Sequence, residues 1–380
     1  MDNFCNAILP GQTIGIIGGG QLGRMMALAA RNAGFNIAVL DPTPQCPCGQ
    51  VADYEITANY NDIEAIKKLA EISDVITFEF ENISGEALEW LTEHAYVPQG
   101  SSLLKISQNR IIEKRAIQNA GVQVAPYEVV QQAEDLEDAV REIGFPCVLK
   151  TATGGYDGKG QYVLKSEKDC SEAQSLLQHG ECVLEAWVPF EKEISVIVSR
   201  NVNGETAVFP VAENIHLENI LHQSIVPARI SKDTEHEALQ KALRIADHTE
   251  MVGLLAVEMF VTKEGHIYIN ELAPRPHNSG HYTMEACETS QFEQHIRAIC
   301  NWKLGNTALL KPVVMVNILG EHVEPLLKNI PDLEDWKIHL YGKAEAKRKR
   351  KMGHVNVLRE TIEEALAEAE ASGIWTERQA

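Results

Sequence analysis

Two glutamates in the last third of the chain are spaced to work together on a hard cation. Residues 254–283 read LLAVEMFVTKEGHIYINELAPRPHNSGHYT, in which two alternating apolar stretches flank Lys263, Glu264, Gly265 and His266, the pattern of a β-hairpin. If Glu264 and Gly265 form a two-residue turn, Glu258 lies opposite Glu271 and both carboxylates share one face. Like charges so placed, with Cβ atoms about 5 Å apart, repel unless a cation sits between them. Carboxylate oxygens suit magnesium, which completes its shell with water and phosphate oxygens. A three-residue turn would instead oppose Glu258 with Asn270, weakening the geometry while keeping both ligands. Directly after Glu271 come Arg275, His277, Asn278 and His281, a density of anion-binding and proton-handling groups. Pro274 and Pro276 hold that loop extended as a rigid wall facing the metal. His281 reads more simply as a cap on the following helix.

A second group of residues could hold a polyphosphate. The stretch CVLKTATGGYDGKGQ, residues 147–161, puts Lys150 at the end of an apolar strand and Lys159 in a loop with Gly154, Gly155, Gly158 and Gly160. Such a loop can fold backbone amides and a lysine over phosphates. The GxxxxGK[ST] spacing of a Walker loop is absent. Further on, CVLEAWV ends a strand in Glu185, Ala186, Trp187 and Val188, a wall whose backbone could meet an adenine edge, although any buried strand with a tryptophan reads alike. Residues 347–351 are an unbroken basic run, which generically is a solvated face or a nucleic-acid patch. In so acidic a chain it reads as a local phosphate anchor, with Lys343 and Arg350 as its members; sequence hardly separates Arg350 from Arg348 or Lys351.

The elements that must carry these groups begin with a trap. From Thr13 the order is apolar run, helix, apolar run, helix 62–72 and apolar run, a βαβαβ pattern that predicts a parallel sheet covered on both faces. Gly18, Gly20 and Gly23 give G-x-G-x-x-G between strand and helix, with Asp41 about 20 residues on, which taken alone indicates a dinucleotide. Free N–H groups at a helix N-terminus favour any phosphate equally. Next come a helix around 107–120, helix 134–143, and two strands about the glycine-lysine loop. Long alternating strands then follow, with a helix at 234–251, the hairpin, and a helix at 283–300. These divide the chain into units at 1–106, 107–190 and 191–380, mixing α/β and α+β organisation.

Composition bounds the rest. At 380 residues, 44% apolar and 23% charged, the chain is an ordinary globular one of two or three domains. A net charge of −20 repels phosphate backbones, so nucleic acid is not an expected partner. No apolar run nears a membrane span, and MDNFCNAILPGQT lacks a secretion signal, so a cytoplasmic location is expected. Eight cysteines without CxxC pairs read as reduced thiols, with Cys46 and Cys48 as a loop.

Five ordered stretches carry a resemblance: GGGQLGRM at 18–25, TFEFENI at 77–83, TGGYDGKGQ at 153–161, NELAPRPHNSGHYT at 270–283, and YGK with KMGHVN near the end. Together they resemble the 5-(carboxyamino)imidazole ribonucleotide synthases, ATP-grasp ligases of de novo purine synthesis. The resemblance implies an ATP-grasp architecture with an N-terminal Rossmann-like domain, usually a homodimer. It also implies carboxylation of 5-aminoimidazole ribonucleotide by ATP and bicarbonate through carboxyphosphate, giving ADP and phosphate. ATP would meet Arg110, Lys150, the loop Gly155, Tyr156, Asp157, Gly158, Lys159, Gly160 and Gln161, then Glu185, Ala186, Trp187, Val188, Glu193, His216 and Asn270. Mg2+ would lie on Glu258 and Glu271. Gln21, Leu22, Lys343 and Arg350 would take the ribonucleotide phosphate, and Glu79, Tyr156 and Asp157 the aminoimidazole, with Asp157 also near the chemistry. Arg275, His277 and Asn278 would hold bicarbonate and carboxyphosphate. The stretch AEAKRKR before KMGH departs from the proline- or glycine-bearing loop the family leads one to expect. The nearest rival is another ATP-grasp ligase, such as a formate-using glycinamide ribonucleotide transformylase; from another class, the fingerprint alone would suit a nicotinamide oxidoreductase.

Overall fold

The computed structural model describes residues 7–81, 83, 85–155 and 160–375. The first strands, β1 (Thr13–Ile17), β2 (Asn36–Asp41), β3 (Tyr54–Thr57) and β4 (Val75–Phe78), form a parallel sheet in the order β3-β2-β1-β4. β1, β2 and β4 are nearly continuous apolar runs and are almost wholly buried, as strands covered on both faces must be. The helix Gln21–Asn32 turns Leu22, Met25, Met26 and Ala30 inward. There they join Phe292, Ile296 and Ile299 of the helix Gln291–Ile299 in one core, so the first sheet is fused to the last third of the chain. Ile63–Glu71 starts where the Asp62 side chain accepts from Glu64 and Ala65 N–H, an N-cap.

Two predicted helices differ from expectation at a cap. The helix expected at 107–120 is Arg110–Asn119 and is separate from a preceding helix, Ser102–Ser107, because Asn109 is extended (φ −134°, ψ 113°) and its side chain caps Ile111 and Ile112. Likewise 283–300 divides into Thr283–Ala286 and Gln291–Ile299, with Ser290 capping the second piece and Cys287 bridged to Leu309.

β5 (Tyr127–Val130), β6 (Cys147–Thr151), β7 (Gln161–Leu164) and β8 (Cys182–Ala186) make an antiparallel sheet in the order β5-β8-β6-β7. The remaining strands are β9 (Phe190–Arg200), β10 (Thr206–Val208), β11 (Ala212–Leu217), β12 (Ile220–Val226), β13 (Gly253–Thr262), β14 (Ile267–Ala273), β15 (Val313–Leu319), β16 (Lys337–Leu340) and β17 (Lys351–Leu358). They run as one sheet, β14-β13-β9-β11-β12-β15-β17-β16, with β10 on β9. The C-terminal segment therefore continues the sheet that carries the glutamate hairpin. Among the described residues no helix is long and apolar enough to cross a membrane.

Candidate active site

The hairpin realises neither simple register. Close to the turn Val261 pairs with Ile267 and Met259 with Ile269, so the loop is the three residues 263–265, closed by Thr262 N–H to His266 O at 2.9 Å. Gly265 adopts φ +87° there, a conformation glycine reaches without a Cβ penalty. That turn alone would oppose Glu258 with Asn270, yet the register shifts between Glu258 and Met259 and Glu258 faces Glu271 after all. Asn270 is the extra residue of a β-bulge. The bulge turns Asn270 and Glu271, neighbours in sequence, to the same side, and both line the cleft with Glu258.

That cleft, of about 750 Å³, lies between the two antiparallel sheets and the first domain. Burial and the charge of Glu271 push Glu258 up to about 8, as two carboxylates sharing one site do. Arg110 reaches Glu271 at 3.7 Å. Glu113, one turn on from Arg110, accepts from Leu272 N–H at 2.8 Å and is also pushed to about 8, by burial and then Glu271. No group of three or more His, Cys, Asp or Glu among the described residues is arranged to hold a metal. Two carboxylates fit an ion that draws most of its shell from phosphate and water.

On the nucleotide side, Lys150 Nζ lies 2.9 Å and Lys114 Nζ 3.1 Å from the Glu185 carboxylate. Burial opposes ionisation of Glu185, but the two ammonium groups outweigh it and hold the carboxyl at about 2. Lys114 was not singled out from sequence; its signal was a position one helical turn after Arg110. His216 Nδ1 meets Glu193 at 3.1 Å. Ala186 N–H is bound to Pro126 O at 2.8 Å and Trp187 N–H to Pro146 O at 3.1 Å, so these two N–H groups secure the strand end, while Ala186, Trp187 and Val188 line the cleft. Trp187 is 45% exposed and Val188 9%. Gly155 and Gln161 line the cleft, and Gly160 accepts from Thr151 N–H at 2.8 Å. Tyr156, Asp157, Gly158 and Lys159 lie outside the described residues.

The glycine fingerprint is already filled by carboxylates of the chain itself. Gly20 N–H donates to Glu79 Oε1, Gly23 N–H donates to Glu79 Oε2 at 2.6 Å, and Gly19 N–H donates to Asp41 Oδ2 at 2.7 Å. Asp41, which a dinucleotide reading assigns to a ribose, also accepts from Tyr60 Oη at 2.6 Å and Thr43 N–H at 2.8 Å. A dinucleotide thus meets no free amide on the fingerprint glycines and no free acid. Gln21 and Leu22, the first helical residues, have no intrahelical acceptor and line the cleft beside Glu79. Cys46 and Cys48 are buried beneath the loop, Cys48 N–H bonding Gly19 O at 2.9 Å. Burial pushes the Cys46 thiol up to about 12, which suits packing and not redox chemistry.

Lys343 Nζ donates to Lys351 O at 2.7 Å. Burial and the Arg350 guanidinium hold its ammonium down at about 8, while Glu79 pulls the other way. Within the basic run Lys349 pairs with Glu218 and Lys347 with Glu345, whereas Lys351 lines the cleft. Arg275 Nε donates to Glu81 at 3.1 Å. Asn278 and Asn317 exchange amide hydrogen bonds of 3.0 and 2.8 Å. His277 Nε2 lies 3.2 Å from Glu258. His281 does not cap the next helix; it is buried against Phe292 and His354, with Nδ1 3.1 Å from Gln291 Nε2.

A cleft between two antiparallel sheets, lined by Lys150 and a glutamate pair, with a parallel-sheet domain against it, defines an ATP-grasp ligase. Family models agree: the ribonucleotide synthetase preATP-grasp domain matches residues 11–108, the ATP-grasp domain 115–292, and the phosphoribosylaminoimidazole carboxylase C-terminal domain 313–368. The N5-carboxyaminoimidazole ribonucleotide synthase of Bacillus subtilis (strain 168) is 58% identical over 361 residues, 95% of each chain. A solved N5-carboxyaminoimidazole ribonucleotide synthetase in complex with ADP is 64% identical with TM-score 0.96, over 98% of this chain and 99% of that one. The Aspergillus clavatus enzyme in complex with ADP and 5-aminoimidazole ribonucleotide is 30% identical with TM-score 0.88, over 95% and 97%. The chain belongs to the N5-carboxyaminoimidazole ribonucleotide synthase family, and it is an ATP-dependent carbon–nitrogen ligase of purine biosynthesis.

Proposed function

We propose that the chain carboxylates 5-aminoimidazole ribonucleotide with ATP and bicarbonate through carboxyphosphate. The observation that carries this reading is one cleft, lined both by Lys150, Glu258 and Glu271 and by Gln21, Leu22 and Glu79 of the first domain. A bicarbonate oxygen attacks the γ-phosphorus and ADP leaves. The exocyclic amine then bonds to the carboxyl carbon of carboxyphosphate, or of carbon dioxide released from it; phosphate departs and the amine loses a proton. Little covalent chemistry falls to the protein, so positioning and charge supply most of the catalysis. Glu258 and Glu271 would hold Mg2+, which when bound neutralises charge on the phosphoryl oxygens. Lys150 and Arg110 meet the polyphosphate, and Arg275 and Asn278 orient the bicarbonate-derived anion. Lys343, Arg350 and the Gln21 and Leu22 amides take the ribonucleotide phosphate, with Tyr156 and Asp157 on the aminoimidazole.

The test is phosphate release with each substrate omitted in turn. Turnover that needs both bicarbonate and aminoimidazole ribonucleotide is expected; equal turnover with formate and glycinamide ribonucleotide would overturn the assignment.

A further inference from the structure

His277 ends a row of buried polar side chains that crosses the large sheet. Ser224 on β12, Asn214 on β11 and Ser195 on β9 are each at most 5% exposed, as is Ser279 at 1%. Ser224 Oγ donates to Asn214 Oδ1 at 2.8 Å, Asn214 Nδ2 to Ser195 Oγ at 3.0 Å, and Ser195 Oγ to Ser279 Oγ at 2.8 Å. Ser279 Oγ lies 2.8 Å from His277 Nδ1, and His277 Nε2 lies 3.2 Å from Glu258 Oε1.

Such a row could in principle run in either direction, because hydroxyls and an amide can reverse. Its end at the imidazole has fixed polarity on the Nδ1 side. The backbone N–H of Ser279 also points at Nδ1, at 3.4 Å, and an N–H can only donate. A hydrogen on Nδ1 would face that donor, whereas a hydrogen on Nε2 points at the Glu258 carboxyl. With Nδ1 as acceptor, every member of the row finds a partner, which is what burial at low dielectric demands.

We propose that Ser279, backed by Ser195, Asn214 and Ser224, is a positioning residue that fixes His277 as its Nε2–H tautomer. His277 is thereby a hydrogen-bond donor toward Glu258 and the anion beside it, and is not the base that takes the proton from bicarbonate or from the substrate amine. This deepens the proposed function and rests on it for the identity of that anion, whereas the tautomer itself does not.

The test is long-range 1H–15N correlation on 15N-histidine-labelled protein, with the His277 signals among the 13 histidines identified by their loss in His277→Gln. The expected wild-type spectrum has Nδ1 unprotonated and Nε2 protonated. A hydrogen on Nδ1, or on both nitrogens, would overturn the inference, and this readout needs no destabilising variant. Ser279→Ala is then expected to lower kcat about 10- to 100-fold, the usual cost of removing a residue that orients a metal-site group. The KM for ATP should stay within about twofold, because the ATP-facing lysines do not touch the row. Wild-type kcat in that variant would remove the functional part of the inference. If wild-type protein makes no phosphate under any substrate combination while the spectrum is as expected, the reaction assignment fails and the tautomer stands.

Discussion

Replacing Glu79 with Gln tests whether the glycine fingerprint is held by the protein's own carboxylate. Glu79 accepts from two backbone amides, Gly20 and Gly23, and hydrogen bonds to a charged group are worth about 1.5–3 kcal/mol each. Glutamine keeps one acceptor oxygen, now neutral, and turns an NH2 group toward the other N–H. The expected loss is therefore about 2–4 kcal/mol of local stability. Because the first sheet is one part of a larger molecule, a single melting temperature would blur this, whereas amide exchange reads local opening. The peptide spanning residues 18–25 should exchange about 30- to 700-fold faster in E79Q than in wild type, with exchange in β13 and β14 unchanged. Exchange within about twofold of wild type across residues 18–25 would refute the claim that this carboxylate fills the loop. Binding of the ribonucleotide should weaken in the same variant, since the adjoining Gln21 and Leu22 amides would lose their fixed orientation.

Three further outcomes follow from the site. Glu271→Gln should cut turnover about 100-fold or more with an unchanged circular dichroism spectrum, and Mn2+ titration in the presence of ATP should find the ion bound more weakly; normal activity would dismiss the metal assignment. The kcat/KM for the ribonucleotide should fall as pH rises through about 8, where Lys343, flanked by Glu79, Arg350 and Lys351, gives up the proton that makes it cationic. A profile flat from pH 7 to pH 9 (roughly one unit either side of that midpoint) would exclude Lys343 as the phosphate anchor. Glu185→Gln leaves the buried Lys114 and Lys150 facing a neutral amide and should cost about 3–5 kcal/mol in urea unfolding. The pairing of wild-type Glu185 stabilises the fold above the ordinary carboxylate pKa and is lost as pH falls toward about 2.

Much of this was legible in the chain because it depends on local periodicity. The alternation of β13 and β14 announced a hairpin, and the apolar runs around Gly18 announced a parallel sheet. Helix breaks at Asn109 and Ser290 were written in their capping residues, which a reading by apolar spacing passes over. Lys114 was hidden for another reason: lysine is seldom fully buried, and only the tertiary meeting with Glu185 gives it a place. The occupied fingerprint was not legible either. Its acceptor, Glu79, lies 59 and 56 residues from Gly20 and Gly23, and G-x-G-x-x-G describes donors without saying what they face. The bulge at Asn270 has no sequence mark of its own, since asparagine in a strand is read as one more alternating residue.

That bulge divides the hairpin into two independently indexed halves. Met259, Val261, Ile267 and Ile269, all core residues, take their pairing from the three-residue turn, while Glu258 and Glu271 take theirs from the bulge. Shortening the turn by one residue would slide the core pairs and face apolar side chains toward the cleft, yet it would not by itself bring the glutamates into a better register. Removing Asn270 would leave the turn-side core intact and keep Glu271 opposite Glu258, because Glu271 would then follow Ile269 directly; only the Asn270 side chain would be lost from the cleft. The hairpin thus tolerates sequence drift at its tip only insofar as turn length is kept, and the Asn270 position can be altered without disturbing the carboxylate pair or the packing beneath it.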